Sequence, residues 1–333
     1  MRALINILPT IQPVIEQARW VAIDDIAIRR TAAHLADAGA PLPDWGQELH
    51  PVGRDEAETA TLVLVLDVLN FCFWPLPGRP LGARGKRWNV AYKGESYDGY
   101  MALAVALRKA VETGAPLADP EYLCGLDLGQ VRELLAPEPG SQEIPLIAAR
   151  LAHLREAGQA LRERWDGSFA TPILAAGGSA AALIDEVLAA LPSFRDTAVY
   201  RGHEVRFYKR AQILTADLHG ALHGGGLGAF HDLDQLTAFA DYKVPQILRQ
   251  FGMLRYRPEL VQSIAGYELI PPGDEREVEI RAATIWAVEL LRQALAERGR
   301  SLPACELDWL LWNAAQTLPA DAEPYHRTLT VYY

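Results

Sequence analysis

The sequence predicts a mainly α fold with a small β component, and three observations carry this. Apolar residues recur at helical spacing along most of the chain. Strand candidates are few and short, and no alternation of strand and helix appears that would build a parallel sheet. Half of the 333 residues are apolar, enough for a large core. No Gly/Ser/Pro linker or internal repeat divides the chain. Residues 1–333 therefore read as one compact domain, with two helical lobes around a central pocket.

Taken in order, residues from Ile11 to Ala40 read as helical, with Asp24 and Asp25 near a helix start and Gly39 near its end. Pro41 to Pro51 is a turn-rich connection containing His50. Asp55 to Leu69 is a helix that runs into Asp67-Val-Leu-Asn-Phe-Cys-Phe-Trp74. Three aromatics in four residues make either a buried plug or a stacking wall for a planar ligand. Arg87 to Lys93 is a short strand, and Lys93 to Tyr100 is a turn opening the helix Tyr100–Thr113. Pro116 to Tyr122 is a loop, and Asp127 caps a helix through Leu135. Ile144 to Trp165 and Ser179 to Leu191 are helices. Val199-Tyr-Arg and Glu204-Val-Arg-Phe flank a hairpin turn at Gly202-His203. Lys209 to Leu222 is a helix with Lys209 and Arg210 at its start. Cations there oppose the helix dipole, which hints at an anion to be met. Gly224 to Gly228 is a mobile loop without the features of a phosphate loop. Glu275 to Ala296 is a helix pairing Glu277 with Arg281. The last helix holds Asp308, Trp309, Trp312 and Asn313, and His326 to Tyr333 is a strand-like tail.

The net charge of -10 weighs against general binding to nucleic acid or an anionic membrane, but allows a small anionic substrate. Cys72, Cys124 and Cys305 lie far apart and form neither a zinc spacing nor a disulfide framework. This fits a reducing, cytoplasmic compartment. The N-terminal apolar run stops at Pro9, without a signal-peptide core. Thr61 to Leu69 is interrupted by Asp67 and too short to span a bilayer. Nothing implies a metal or an organic cofactor.

Phe239-Ala-Asp-Tyr-Lys-Val-Pro245 is the focal stretch. Asp232-Leu-Asp-Gln235 resembles a capping box, with Leu233, Leu236 and Phe239 or Ala240 following at helical spacing. Pro245 suits the first turn of a second helix. Asp241 would sit in a tight turn between the two, where first-turn N–H groups favour a carboxylate. It is then either a helix cap or a fixed catalytic carboxylate.

Several blocks together resemble the queuosine salvage protein family, also described as queuosine 5′-phosphate N-glycosylase/hydrolase. They are Asp67-Val-Leu-Asn-Phe-Cys-Phe-Trp, Tyr92-Lys-Gly-Glu-Ser-Tyr-Asp-Gly-Tyr, Phe207-Tyr-Lys-Arg-Ala-Gln-Ile-Leu-Thr-Ala-Asp217, Phe239-Ala-Asp-Tyr-Lys-Val-Pro-Gln, Arg276-Glu-Val-Glu-Ile-Arg281 and the closing His326-Arg…Tyr-Tyr333. The likeness runs from near residue 20 to the last residue. It implies hydrolysis of the N-glycosidic bond of queuosine 5′-monophosphate, releasing queuine for return to tRNA. It also implies a helical core like that of the helix-hairpin-helix DNA glycosylases, with Asp241 at the place of their catalytic Asp. The hairpin run Leu-Pro-Gly-Val-Gly is absent, which counts against duplex DNA as partner.

The chemistry suits a carboxylate, because glycosidic cleavage builds positive charge on the sugar. Asp241 is the group to stabilise that charge, orient water or attack. The resemblance makes Asp308 the reader of a guanine-like edge, with Asn313 a further polar contact. Phe239 would stack on the ring with Trp309 opposite. Thr237 and His50 would bond the base or its cyclopentenediol. Lys209 is the phosphate or ribose candidate, with Arg210 and Lys243 as helpers. Two rivals remain: a non-catalytic queuine- or queuosine-binding protein and, more weakly, a DNA base-excision enzyme.

Overall fold

The computed structural model describes residues 6–39, 41–42, 44–75, 87–319 and 321–333. Residues 1–5 of the N-terminal apolar run, and Ala40 at the expected end of the first helical stretch, lie outside the described part. Among the described residues there are fourteen α-helices and six strands of three or four residues, so the fold is mainly α with a small β component.

In chain order these are α1 (Ile7–Gln17), β1 (Val21–Ile23), α2 (Asp25–Ala38), α3 (Glu56–Val68), β2 (Asn89–Tyr92) and β3 (Glu95–Asp98). Next come α4 (Gly99–Glu112), α5 (Pro120–Gly125), α6 (Leu128–Leu134), α7 (Ile147–Arg164), α8 (Ala170–Ala175) and α9 (Ala180–Ala190). The chain continues with β4 (Thr197–Tyr200), β5 (His203–Arg206), α10 (Lys209–Ala221), α11 (Val244–Gln250) and β6 (Leu254–Tyr256). It finishes with α12 (Pro258–Ala265), α13 (Glu275–Ala296) and α14 (Ala304–Gln316). The strands form three antiparallel pairs, β1 with β6, β2 with β3, and β4 with β5.

Helix α3 is buried at every position from Thr59 to Val68, which is how a helix apolar on all sides must sit. It anchors one core with α4, α7, α9 and α10. A second core gathers α2, α11, α13 and α14. Capping follows the sequence where the signal is local. Asp24, Asp55, Asp119, Asp127, Ser179 and Asp274 each accept a first-turn N–H from their own helix.

Tertiary contacts override the sequence signal in several places. The helical stretch from Ile11 to Ala40 is broken by β1, because Glu279 Oε2 on α13 accepts the N–H groups of Arg19, Trp20 and Val21 at 2.9, 2.6 and 3.1 Å. The expected turn at Lys93–Tyr100 is instead the hairpin β2–β3, turning at Lys93-Gly94 with φ of 49° and 85°. The second hairpin turns one residue earlier than expected, at Arg201-Gly202, since His203 pairs with Tyr200. The Pro116–Tyr122 loop already contains the start of α5.

No helix forms over 233–240 beyond a single 3₁₀ turn at Leu233–Gln235. Asp232 does not cap it. Its carboxylate reaches α9 instead, accepting from Ser179 Oγ at 2.7 Å and from the N–H groups of Ala180 and Ala181. The segment 236–240 has no regular secondary structure. The glycine-rich stretch at Gly224–Gly228 is tied down. Leu227 N–H donates to Glu56 Oε2 at 3.1 Å, and a Cβ on Gly226 would lie 2.1 Å from the same carboxylate. The C-terminal tail is not a strand but is buried at His326, Arg327, Thr328 and Tyr333, with one bridge from Leu269 to Arg327.

Candidate active site

A cavity of about 1070 Å³ is bordered by the end of α3 and its aromatic run, the start of α4, helices α10 and α14, and the irregular segment before α11. Helical periodicity builds two of its walls. Lys209, Ile213 and Asp217 fall at i, i+4 and i+8 of α10, and Asp308, Trp309, Trp312 and Asn313 share one face of α14.

Asp241 follows a tight turn in which its own N–H reaches Phe239 O at 2.7 Å. Its Oδ1 accepts from the backbone N–H groups of Lys243 at 2.9 Å and Val244 at 2.8 Å, so it does cap α11. Both bonds fall on Oδ1, and the residue still borders the cavity. Burial pushes its pKa up, opposed by the Lys209 ammonium and the two backbone donors. Lys209 opens α10 and is buried. Its backbone N–H donates to Asp196 Oδ2 at 3.2 Å, and Tyr208 before it takes a left-handed φ of 48°. Burial lowers the Lys209 pKa, while the carboxyls of Asp241, Asp67 and Asp308 raise it.

Asp308 is buried, and its Oδ1 accepts the Phe239 N–H at 2.9 Å. Burial, then the neighbouring Asp241, hold its pKa well above the usual carboxylate range. Phe239 and Trp309 both border the cavity, and Asn313 sits exposed at its margin with Nδ2 donating to Trp309 O at 2.8 Å. His50 also borders it, stacked on Trp45 at 4.0 Å between ring centroids. Its Nδ1 lies 2.9 Å from Gly46 O and its Nε2 lies 3.0 Å from the Tyr100 hydroxyl, which is 3.1 Å from Asp217 Oδ2. Both nitrogens are therefore engaged by protein.

Two expected contacts lie elsewhere. Thr237 does not border the cavity, because the buried Gln212 amide on α10 holds it. Gln212 Oε1 accepts its N–H at 2.8 Å, and its hydroxyl is 3.1 Å from Gln212 Nε2. Arg210, one residue past Lys209 and so turned about 100° around the helix, donates to the carbonyls of Val68 and Ser193 and lies over Phe194. It braces α3 against α10. Lys243 does border the cavity, with Nζ donating to Gln246 Oε1 at 3.0 Å.

Sequence reasoning passed over Asn70, Tyr100, Asp217 and Trp312 as site residues. The i, i+4, i+8 spacing from Lys209 was the signal for Asp217. Asp67, fully buried with Oδ1 accepting from Asn70 Nδ2 at 3.0 Å, has its pKa raised by burial to about 7. Among the described residues, no group of three or more His, Cys, Asp or Glu is arranged to hold a metal ion. No described helix is long and apolar enough to cross a membrane.

The helical scaffold thus encloses a buried carboxylate beside a lysine in a cavity lined with aromatic side chains, the make-up of a small-molecule pocket. Residues 49–333 match the model of the family described as queuosine salvage protein. Over 329 residues the chain is 51% identical to the queuosine 5′-phosphate N-glycosylase/hydrolase of Sphaerobacter thermophilus, covering 99% of this chain and 98% of that one. The protein of the same name from Mus musculus is 38% identical, with 96% of each chain covered. That from Schizosaccharomyces pombe is 35% identical, over 85% of this chain and 82% of its own. The chain belongs to the queuosine salvage protein family, as its sequence blocks implied.

Proposed function

We propose that this chain is an N-glycosylase that hydrolyses queuosine 5′-monophosphate to queuine and ribose 5-phosphate, supplying queuine for tRNA modification. The observation that carries the reading is Asp241, a buried carboxylate fixed by two backbone N–H groups at the edge of a ligand-sized cavity. The C1′–N bond breaks with its electron pair going to the base. Water supplies hydroxide to C1′ and its proton leaves with the base. Asp241 faces the positive charge that develops on the sugar, and Lys209 and the helix start favour its ionised form. We assign it the role of electrostatic stabiliser that also orients the water.

Queuine is a 7-deazaguanine and has no N7 to protonate, so the leaving base depends on neighbouring donors. Asp308, whose pKa burial and the neighbouring Asp241 hold well above the usual carboxylate range, supports that role better than an unshifted carboxylate would. Phe239 and Trp309 sandwich the ring, and Asn313 adds a rim contact. Lys209 stands among three carboxyls, which favours a ribose contact and charge balance over phosphate. Lys243 at the cavity edge takes the phosphate role.

A mononucleotide rather than RNA is the partner we infer, since a net charge of -10 opposes phosphate-backbone binding. The unpaired cysteines support a cytoplasmic place. The two larger of three core clusters support one domain with two lobes.

The test is chromatography with mass detection on purified protein mixed with queuosine 5′-monophosphate or queuosine. Release of queuine and ribose 5-phosphate, lost in Asp241→Asn, is the expected result. Tight binding with both substrates intact would instead make this a queuine-binding protein and Asp241 a helix cap only.

A further inference from the structure

Around Trp309 the cavity has a cluster of aromatic rings that the proposed hydrolysis does not use. Trp45 and His50 come from the connection before α3, Tyr100 from the start of α4, and Trp309 and Trp312 from one face of α14. All five border the cavity. Trp45 stacks on His50 with centroids 4.0 Å apart, and His50 lies 5.6 Å from Tyr100. Tyr100 and Trp312 then meet edge to face, at 5.9 Å and an interplanar angle of 82°. Two rings at right angles make a corner rather than a flat wall. Trp309 closes the set from the side of α10. A Cβ on Gly220 would lie 3.1 Å from both Trp309 Cη2 and Trp45 Cδ1, so the two tryptophans approach each other over a residue that leaves them room.

Two further observations point to what the corner takes. Elsewhere in the cavity wall arginines lie over the rings of Phe73 and Trp74. Among the described residues, no lysine or arginine lies over Trp45, Tyr100, Trp309 or Trp312, so these electron-rich faces are not taken by a protein cation. A carboxyl stands at the same corner. Asp217 is buried, borders the cavity and accepts from the Tyr100 hydroxyl at 3.1 Å. Burial and the neighbouring Asp67 hold its pKa well above the usual range, and an opposite charge alongside would favour its ionised form. Of the cations that border the cavity, Arg87 is paired with Asp98 at 3.5 Å, Lys243 donates to Gln246, and Lys209 lies two turns before Asp217.

We propose that Trp45, Tyr100, Trp309 and Trp312, with Asp217, form a subsite for an ammonium group that the ligand carries next to its base. The identity of that group rests on the function proposed above. Queuine bears its cyclopentenediol on a secondary amine, one methylene away from the deazaguanine ring. Like the amine of lysine, an alkylamine of this kind is protonated at pH 7. With the base between Phe239 and Trp309, the arm starts beside Trp309, the ring that the base site and the corner share. The cation then meets aromatic faces and the Asp217 carboxyl. A guanine nucleotide has no cation at this point, so the subsite selects the queuosine nucleotide against the far commoner one.

Calorimetry on the intact protein at pH 7 tests this with two bases of equal size, 7-aminomethyl-7-deazaguanine and 7-hydroxymethyl-7-deazaguanine. The first is a cation and the second is neutral. The amine is expected to bind about 10-fold more tightly, the scale of a partly desolvated cation–π contact. Trp312→Leu is expected to bring that ratio to about 3-fold or below by weakening the amine alone, whereas a merely structural role would weaken both bases together. Should Trp312→Leu lose its thermal transition, Trp312→Phe, with a smaller ring, is expected to narrow the ratio part of the way. Equal Kd values in the parent chain overturn the subsite, and so does a ratio that the folded variant leaves unchanged. If neither base binds the parent chain, the queuine reading itself fails and the subsite with it, an outcome distinct from equal binding.

Discussion

Two groups of buried charge meet at the backbone of Lys209 and Ala240, and they follow opposite rules. In the first, Arg281 on α13 forms a bidentate pair with Asp196, its Nη1 donating to Oδ1 at 2.9 Å, and reaches Glu277 Oε1 at 3.4 Å. Its Nε donates to Ala240 O at 3.0 Å, and the guanidinium lies over the rings of Phe207 and Tyr333. Glu277 also accepts from the Tyr333 hydroxyl at 3.0 Å and Gly273 N–H at 3.1 Å. In the second, the carboxyls of Asp67, Asp217, Asp241 and Asp308 all have raised pKa values, with Lys209 as their shared cation. Among the described residues, Asp67 Oδ2 has no hydrogen-bond partner.

The difference is one of purpose. A network hydrogen-bonded this closely holds geometry, because the loss of one buried partner is costly. It anchors the Lys209 N–H through Asp196 and Ala240 O through Arg281, setting Lys209 and Asp241 beside each other. In the second group burial raises the pKa values of four carboxyls around one lysine, and groups whose environments push their pKa values apart can divide acid and base roles. Asp241, with two backbone donors and Lys209, is best supported as the ionised member.

The largest effect that would sharpen this contrast comes from Asp241→Asn. The amide oxygen can still accept the Lys243 and Val244 N–H groups, so the thermal transition should stay while kcat falls about 10³-fold. Near-normal turnover would leave Asp241 as a cap. In the paired network the loss should be of fold instead. Arg281→Met strands Asp196 and Glu277, and denaturant titration should show destabilisation of about 3–5 kcal/mol. A change below about 1 kcal/mol would mean that the network is not the anchor.

The proton-holding cluster should reveal itself in the pH dependence of stability. Asp67 keeps its proton in the folded chain to about pH 7, against an ordinary value of 3.8. The stability this contributes is complete below the ordinary value and is lost as pH rises through the folded one. Asp67→Asn has no such proton to lose. Its stability relative to the parent should therefore climb between those values, by on the order of 2–4 kcal/mol, and level off above. A flat difference would show Asp67 ionised throughout. The smallest effect is expected at Asp232, a buried carboxylate outside both groups. Asp232→Ala should lower stability by about 1–2 kcal/mol through its lost cap on α9, with catalysis unchanged.

The site was partly legible in the sequence because much of it is periodic or local. Asp241 beside Pro245 announced a helix start, and the face of α14 carrying Asp308, Trp309 and Asn313 follows from helical spacing. Thr237 and Arg210 misled because their neighbours in sequence are at the site, while their own side chains are taken by Gln212 and by the carbonyls of Val68 and Ser193. Nothing local distinguishes those cases. Tyr100 was missed for the converse reason: an aromatic at the start of α4 looks like any packing residue until His50 and Asp217 arrive from 50 and 117 residues away.

By itself the sequence determined the helical class, most helix starts and the likeness to one family. Those depend on spacing, capping and residue order, which are properties of neighbouring positions. Only the tertiary structure decided which carboxyls burial pushes up in pKa, that 236–240 forms no helix, and that Glu279 breaks the first helical stretch. Such outcomes depend on burial and on donors from distant segments. A carboxylate far along the chain, once buried nearby, outweighs the local preferences of the residues whose N–H groups it captures.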